Sequence, residues 1–402
     1  MKTANLSEYF TAVTAKRLSA VETQPQTSNQ HEFNGVNELR QMFGSEKQTF
    51  PATFIHLGDD EEITEEGFVT WYDARERHAT RTEYRLYYKT TAASEMLSAG
   101  DLLVIARTTT GRLLVITADG GSTTENQILW LFGLPSPEGN FQVRDLSGDK
   151  ERIGLMKGMI LESVGIEIEE EDVSLLELLL KKYGGVFPPT AEFSRFARES
   201  RNDVGELEDP DGALMAWMEQ EEIMFRTIER HIVTLRLKEG FGKDSPDVDA
   251  FISFSLSVQN RRKSRVGYAL ENHIEHIIRR HELRYARGKE TENHSRPDFL
   301  FPGIEEYHNA GFPAARLSFL GVKSTCKDRW RQVLAEAARI EQKHLLTLEA
   351  GISESQTAQM QASLLALVVP LPVQASYTAG QRAWLLSVRN FLNVVRERQA
   401  EH

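Results

Sequence analysis

Cysteine is almost missing from this sequence: Cys326 is the only one in 402 residues. One thiol closes no internal disulfide and builds no Cys-rich metal framework, which points to a reducing cytosol. The first residues, MKTANLSEYF, hold no apolar core of signal-peptide length. Long hydrophobic runs are also absent. The richest, LLALVVPLPV at 364–373, is too short and too broken by proline to span a bilayer, so no membrane partner is expected. No GxxxxGK[ST] loop and no GxGxxG fingerprint occurs, which leaves nucleotide hydrolysis and nicotinamide chemistry without support. His273, His276 and His281 lack a zinc spacing such as HExxH, and no Ser-His-Asp arrangement is legible.

What is present is ordinary in bulk and uneven in charge. Hydrophobic residues make up 40% and charged residues 26%, as in a globular protein, and the length suggests two or three domains. The net charge of −12 argues against a nucleic-acid partner until its distribution is read. Residues 1–250 hold 26 Lys+Arg against 44 Asp+Glu, while residues 251–402 hold 21 against 15. An acidic body with a basic C-terminal part is compatible with a local basic cleft.

Residues 1–160 read as mainly β. Short apolar runs at TFIHL (53–57), FVTWY (68–72), LLVIAR (102–107), RLLVIT (112–117) and ILWLFG (128–133) are separated by Gly- and Asp-rich turns, a pattern of small barrels or sandwiches. A first helix is expected at 6–20 and a polar loop at 21–35. Residues 161–190 read as a linker, with a helix stopping at Gly184 and Gly185. Residues 191–402 read as α/β: helices at 213–237 and around 268–278, strands at 296–302 and 315–324, a long helix over 328–348 and a strand at 364–370.

The chemistry begins at RPDFLF. Asp298 follows a proline at the start of an apolar strand, and Lys323 ends a second one, FLGVK. If the two strands pair as a hairpin, both side chains emerge at one end of the sheet. A carboxylate binds a hard cation through oxygen, and a lysine beside it orients water or neutralises phosphate charge, which is what phosphodiester hydrolysis requires. Taken alone, a surface Asp and a surface Lys satisfy the same spacing. The usual PD…(D/E)xK pattern also puts an acid two positions before the lysine, where this chain has Gly321. Glu336, expected on the following helix, and Glu271, in ALENHIEHII, are candidates for the missing acid; both also read as ordinary helical glutamates. Lys327, Asp328, Arg329 and Arg331 crowd one helix start, with groups able to read guanine or accept from cytosine, or simply to meet phosphate. NRRKSR at 260–265, with Arg262, Lys263 and Arg265, favours phosphate contacts.

The segments NRRKSRVGYALENHIEHII, RPDFLFPGIEEYH and LGVKSTCKDRWRQVLAEAARI, followed by HLLTLEAGIS and LVVP, closely resemble the EcoRII restriction endonucleases from about Asn260 to Pro370. The resemblance implies a PD-(D/E)xK restriction-endonuclease fold for 191–402. It implies an active site of Asp298, Lys323, Glu336 and Glu271, with Asp298 and Glu336 on Mg²⁺, and a base-reading cluster of Lys327, Asp328 and Arg329. The relocated second acid is a feature of the family, so Gly321 is no objection. More thinly, KRLSA (16–20) and WYDARERHATRTEYR (71–85) resemble the family's effector domain, a B3-like pseudobarrel. There Arg81, Glu83, Arg85 and His31 match DNA-reading positions, while Tyr84 and Ala79 stand where the family has lysines.

The implied activity is that of a Mg²⁺-dependent, bacterial, cytoplasmic type II endonuclease. It cuts both strands of double-stranded DNA at a CC-W/N-GG-type site and leaves 5′-staggered ends with 5′ phosphates. A homodimer through the C-terminal domain, autoinhibition by the N-terminal domain and a cognate cytosine methyltransferase as genetic partner are implied too. The alternatives are a sequence-specific DNA-binding regulator with an inactive nuclease domain, which the complete acid–lysine–acid set disfavours, and a structure-selective repair nuclease, which needs no base-reading cluster.

Overall fold

The computed structural model describes the chain except residues 1–3, 24–31, 35–36, 59–61, 79, 139–140, 169–172, 243–244, 327–328 and 401–402. It divides into two compact units, one spanning Thr3–Glu169 and the other Glu170–Ala350 with Glu354–His402.

The first unit is one eight-stranded sheet: β1 (Phe10–Arg17), β2 (Glu32–Asn34), β3 (Gln48–Leu57), β4 (Glu62–Asp73), β5 (Tyr84–Tyr88), β6 (Leu102–Thr108), β7 (Leu113–Ala118) and β8 (Gln142–Asp145). The order is β2-β5-β4-β3-β7-β6-β1-β8, and only β3 and β7 pair in parallel. Its core gathers Phe33, Phe43, Phe50, Phe54, Trp71, Leu86, Tyr88, Leu103, Ile105 and Val115.

Three expectations fail in this unit. The loop expected at 21–35 carries β2 at Glu32–Asn34, which bonds to β5. The helix expected over 6–20 is helical only at Leu6–Tyr9; from Phe10 the chain is β1, which bonds to β6 on one side and β8 on the other. Two ladders and the β-branched Thr11, Val13 and Thr14 outweigh a weak helical preference. Conversely, ILWLFG lies in helix α1 (Thr123–Phe132). The Ser122 side chain caps it by accepting from the Glu125 N–H, and Gly133, at φ +58°, closes it.

The second unit has a mixed five-stranded sheet of β9 (Ala286–Arg287), β10 (Phe299–Phe301), β11 (Ser318–Lys323), β12 (Lys343–Thr347) and β13 (Leu365–Val368), ordered β13-β12-β11-β10-β9. β9–β10 and β10–β11 are antiparallel; β11–β12 and β12–β13 are parallel. Around it lie α2 (Val173–Tyr183), α3 (Thr190–Glu199), α4 (Pro210–Glu239), α5 (Val248–Arg280), the short α6 (Trp330–Leu334) and α7 (Val388–Ala400). The stretch expected as linker therefore carries α2, whose Leu179 packs with Phe193, Met224 and Phe225. Asp209 caps α4 and Pro210 starts it. The buried Asp211 accepts from the N–H groups of Leu371, Val388 and Arg389, which ties α4 to the start of α7.

The long helix expected over 328–348 is not formed. α6 stops after five residues, Ala337 turns to φ +51°, and β12 follows. Parallel pairing of β12 with both β11 and β13 claims the segment for the sheet, where all five of its residues are buried. Among the described residues no helix is long and apolar enough to cross a membrane.

His344 of β12 is buried, with Nδ1 3.2 Å from the Phe319 carbonyl oxygen and its ring 5.1 Å from that of Phe391. Burial first, then the Arg398 charge, pushes it down to about 4. The unfolded chain takes up this proton near the ordinary histidine value, whereas the fold resists until about 4. Stability is thus retained above that ordinary value and lost progressively as pH falls toward 4, by up to about 3 kcal/mol from this residue. Thermal unfolding followed between pH 7 and 4.5 should show a falling Tm, with a shallower fall in His344→Gln.

Candidate active site

β10 and β11 form an antiparallel pair in which Phe299 faces Leu320 and Phe301 faces Ser318. Asp298 immediately precedes β10 and Lys323 ends β11, so both emerge at the same end of the hairpin. Asp298 Oδ2 accepts from the Val322 N–H at 2.7 Å and from Lys323 Nζ at 3.0 Å. Both side chains are partly open, at 18% and 25% exposure. Among the described residues, Asp298 Oδ1 has no hydrogen bond.

Glu336 lies beyond the end of α6, in the turn that leads to β12. Its carboxylate makes no hydrogen bond or ion pair among the described residues. Burial first, and then the neighbouring Asp298 charge, holds it above the usual carboxylate range, while Lys323 and Lys343 pull the other way. The sheet end thus joins Asp298, Lys323 and Glu336. Two carboxylates against one shared lysine, with oxygens to spare, suit a hard divalent cation. Among the described residues no group of three or more Asp, Glu, His or Cys forms a ready-made cage.

Gly321, two positions before the lysine, has a steric explanation. A Cβ there would come within 3.2–3.3 Å of both Val333 methyls of α6 and 3.4 Å of Phe319. The helix that delivers Glu336 therefore lies over the spot where the usual acid would stand. A side chain at 321 would need the Val333 methyls to give by a few tenths of an ångström, so an acid there competes with this seat for α6.

Glu271, on α5, is tied elsewhere. Arg287 of β9 donates to Glu271 Oε2 at 2.7 Å and to Glu275 Oε2 at 2.5 Å. Tyr285 and Arg279 also donate to Glu275, at 2.8 and 2.9 Å. Because Arg287 pairs with Phe299 in the sheet, it brings α5 to the strand that begins beside Asp298. Sequence reading missed Arg287, since nothing in LRYARGK marks it. It also missed Lys343, buried at the start of β12 with Nζ donating to the Ile340 carbonyl.

The basic run 260–265 needs correction. Arg265 is buried: its guanidinium lies 4.0 Å from the Phe225 ring centroid and pairs with Glu222 and, at 3.7 Å, with Glu221. Arg262 donates to Glu229 at 2.7 Å. These two arginines bind α5 to α4, Arg265 buried and Arg262 with 20% of its side chain exposed. Lys263 is exposed. Lys327 and Asp328 lie outside the described residues; Arg329 is exposed just before α6, and Arg331 donates to Gln359 at 3.2 Å.

In the first unit, Arg85 of β5 pairs with Glu83 at 2.6 Å and Glu32 at 2.7 Å, Glu83 also pairs with Arg75, and Arg81 is exposed. His31 and Ala79 lie outside the described residues. Tyr84 is buried and stacks on Trp71 at 4.9 Å.

The family model for the EcoRII C terminal matches residues 225–392. The type II restriction enzyme EcoRII of Escherichia coli is 32% identical over 366 residues, covering 90% of this chain and 85% of its own length. Among solved structures, metal-depleted Ecl18kI in complex with uncleaved DNA is 18% identical, covering 56% of this chain and 83% of that one, with a TM-score of 0.44. A complex of the restriction endonuclease PspGI with substrate DNA is 14% identical, covering 54% and 95%, also at 0.44. The B3 domain of the UbaLAI restriction endonuclease with cognate DNA is 21% identical, covering 34% and 87%, at 0.23.

The Gly321 contact is testable. Gly321→Asp should drive its side chain into Val333 and lower stability by about 1–3 kcal/mol, as other overpacking changes do. Adding Val333→Ala should recover part of that loss in a double-mutant cycle read by urea denaturation.

Proposed function

From the premise that this chain belongs to the EcoRII family and is a type II restriction endonuclease, we propose that it cleaves both strands of double-stranded DNA at a short CC-W/N-GG-type site. Mg²⁺ is the cofactor, and the products carry 5′-staggered ends with 5′ phosphates. The observation that carries this reading is the meeting of Asp298, Lys323 and Glu336 at one end of the β10–β11 hairpin.

Asp298 and Glu336 would hold the cation, whose charge lowers the pKa of bound water and offsets charge building on the phosphate. The protein's own contributions follow from its contacts. The Val322 N–H and Lys323 Nζ fix one oxygen of Asp298 and leave the other turned to the site. Lys323, partly open, is the cation of the chain beside the scissile phosphate. Glu336, half-buried and above its usual range, gains most as a carboxylate when positive charge arrives. Glu271, held by Arg287, flanks this centre from α5. The PD-(D/E)xK assignment for this unit rests on the same acid–lysine hairpin.

Lys327, Asp328 and Arg329 read the G·C ends of the site, with Arg and Lys toward guanine and Asp toward cytosine N4. The N-terminal unit, read as B3-like, binds a second copy of the site as effector through Arg81, Glu83, Arg85 and His31, and holds cleavage in check until it does so. The acidity of the first unit supports that restraint, with 15 Lys+Arg against 25 Asp+Glu in residues 3–169. Two copies act together as a homodimer through the C-terminal unit, which suits a near-palindromic site. A cytosine methyltransferase protects the host DNA.

Plasmid DNA of known sequence should yield discrete fragments with Mg²⁺ and none with EDTA, and sequenced ends should fall at CC-N-GG-type sites. Lys323→Ala should slow cleavage by about 10²–10³-fold, the usual effect of removing one charged stabiliser. Specific binding with no cleavage on multi-site DNA would instead favour a regulator. Removing residues 1–169 should raise the cleavage rate on single-site DNA; no gain would end the autoinhibition reading.

A further inference from the structure

The far ends of α4 and α5 stand apart from the core. From Arg230 to Ser264 no described residue is buried, although both helices are well packed on either side of that stretch. One side of α5 is accounted for within the unit. Phe251 and Phe254 meet Phe241 at 5.4 and 5.5 Å, Arg261 lies 4.4 Å from the Phe187 ring centroid, and Arg262 pairs with Glu229.

A different face has no such cover. Asp249, Ile252, Leu256, Gln259 and Lys263 recur at alternating spacings of three and four, so they form one stripe, and all are exposed. Leu256 is 58% exposed, Ile252 48%, and Val248 at the edge of the stripe 62%. A surface helix normally turns its apolar residues inward, so Val248, Ile252 and Leu256 facing water between Asp249 and Lys263 mark a contact site.

The order of the stripe says what fits it. Asp249 and Lys263 stand seven residues to either side of Leu256. If the same helix from a second copy is laid antiparallel about a two-fold axis at Leu256, Leu256 meets its own counterpart. Asp249 then meets Lys263 of the partner subunit, and the pair occurs twice. A parallel arrangement would set Asp249 on Asp249 and lysine on lysine, which repel. The self-complementarity lies in Leu256 and the two charged pairs, while Ile252 lies level with Asn260 of the partner subunit.

We propose that this face of α5 is a docking surface for a second copy of the chain, paired antiparallel about Leu256. The proposal rests on the homodimer reading above and adds to it the surface and the register. It also gives Lys263, from the run first read as phosphate-binding, a role in pairing.

The test is the mass of the full chain in solution without DNA, measured by sedimentation equilibrium, with helix content checked by circular dichroism. The unaltered chain should have twice its 45.6 kDa, and Leu256→Glu should return it to the single mass. Asp249→Lys and Lys263→Glu should each weaken dimerisation by about tenfold or more, since each turns two attractive pairs repulsive. The two changes combined should restore it to within about threefold of the unaltered chain. A monomeric unaltered chain would overturn both this surface and the homodimer reading. A dimer that survives Leu256→Glu would overturn this surface alone. Failure of the paired charge reversal to rescue would overturn the antiparallel register.

Discussion

The grip of Asp298 on its neighbouring strand is the constraint on which the candidate-site end of the sheet depends. One carboxylate oxygen accepts from a backbone N–H and an ammonium at once, so both the strand register and the lysine rotamer are set by the same carboxylate. Charge-assisted bonds of this kind are shorter and stronger than neutral ones. The antiparallel β10–β11 pair brings the two ends together, and the parallel strands β12 and β13 extend the sheet beneath them. Glu336 enters from a different direction, over Gly321, because α6 ends early enough for the chain to turn back.

Much of this was legible in the sequence, for physical reasons. The strands that flank Asp298 and Lys323 are unbroken apolar runs in a sheet covered on its faces, and Pro297 marks where one of them begins. A long helix was legible in α4 because its apolar spacing persists over many turns, whereas α5 was legible only around 268–278, where its buried residues lie. What escaped reading was decided by partners distant in sequence. β1 is a strand because β6 and β8 bond it from both sides. The segment after Lys323 forms sheet because β11 and β13 claim it, so Glu336 sits in a turn where a helix was expected. In the first unit, ILWLFG has the apolar content of a buried strand and also of a buried helix, and the Ser122 cap decided the matter.

The candidate site was legible to a similar degree. Asp298, Lys323 and Glu336 come together as their residue types suggest. Glu271 is recognisable as a half-buried acid, but its attachment to Arg287 leaves no trace in a linear pattern. The basic run 260–265 misled because charge alone does not say which way a side chain points. On α5, Arg265 and Arg262 turn toward Glu221, Glu222 and Glu229, and a buried charge persists only when so partnered. The acidic character of the first 250 residues is therefore partly internal bookkeeping of the second unit, since those three glutamates belong to α4.

Cys326 sits three residues beyond Lys323, fully buried, with its backbone N–H donating to Glu349 and its thiol pushed well above the ordinary range by burial and then by the Glu349 charge. Thiolate is the form that oxidants and alkylating reagents attack, and both conditions keep it scarce. The only sulfhydryl in the chain therefore stands near Lys323 in a form and a place that peroxide and electrophiles reach poorly. Thiol reagents should therefore label the folded chain slowly and the unfolded chain fast, which makes Cys326 a reporter of opening at this end of the sheet.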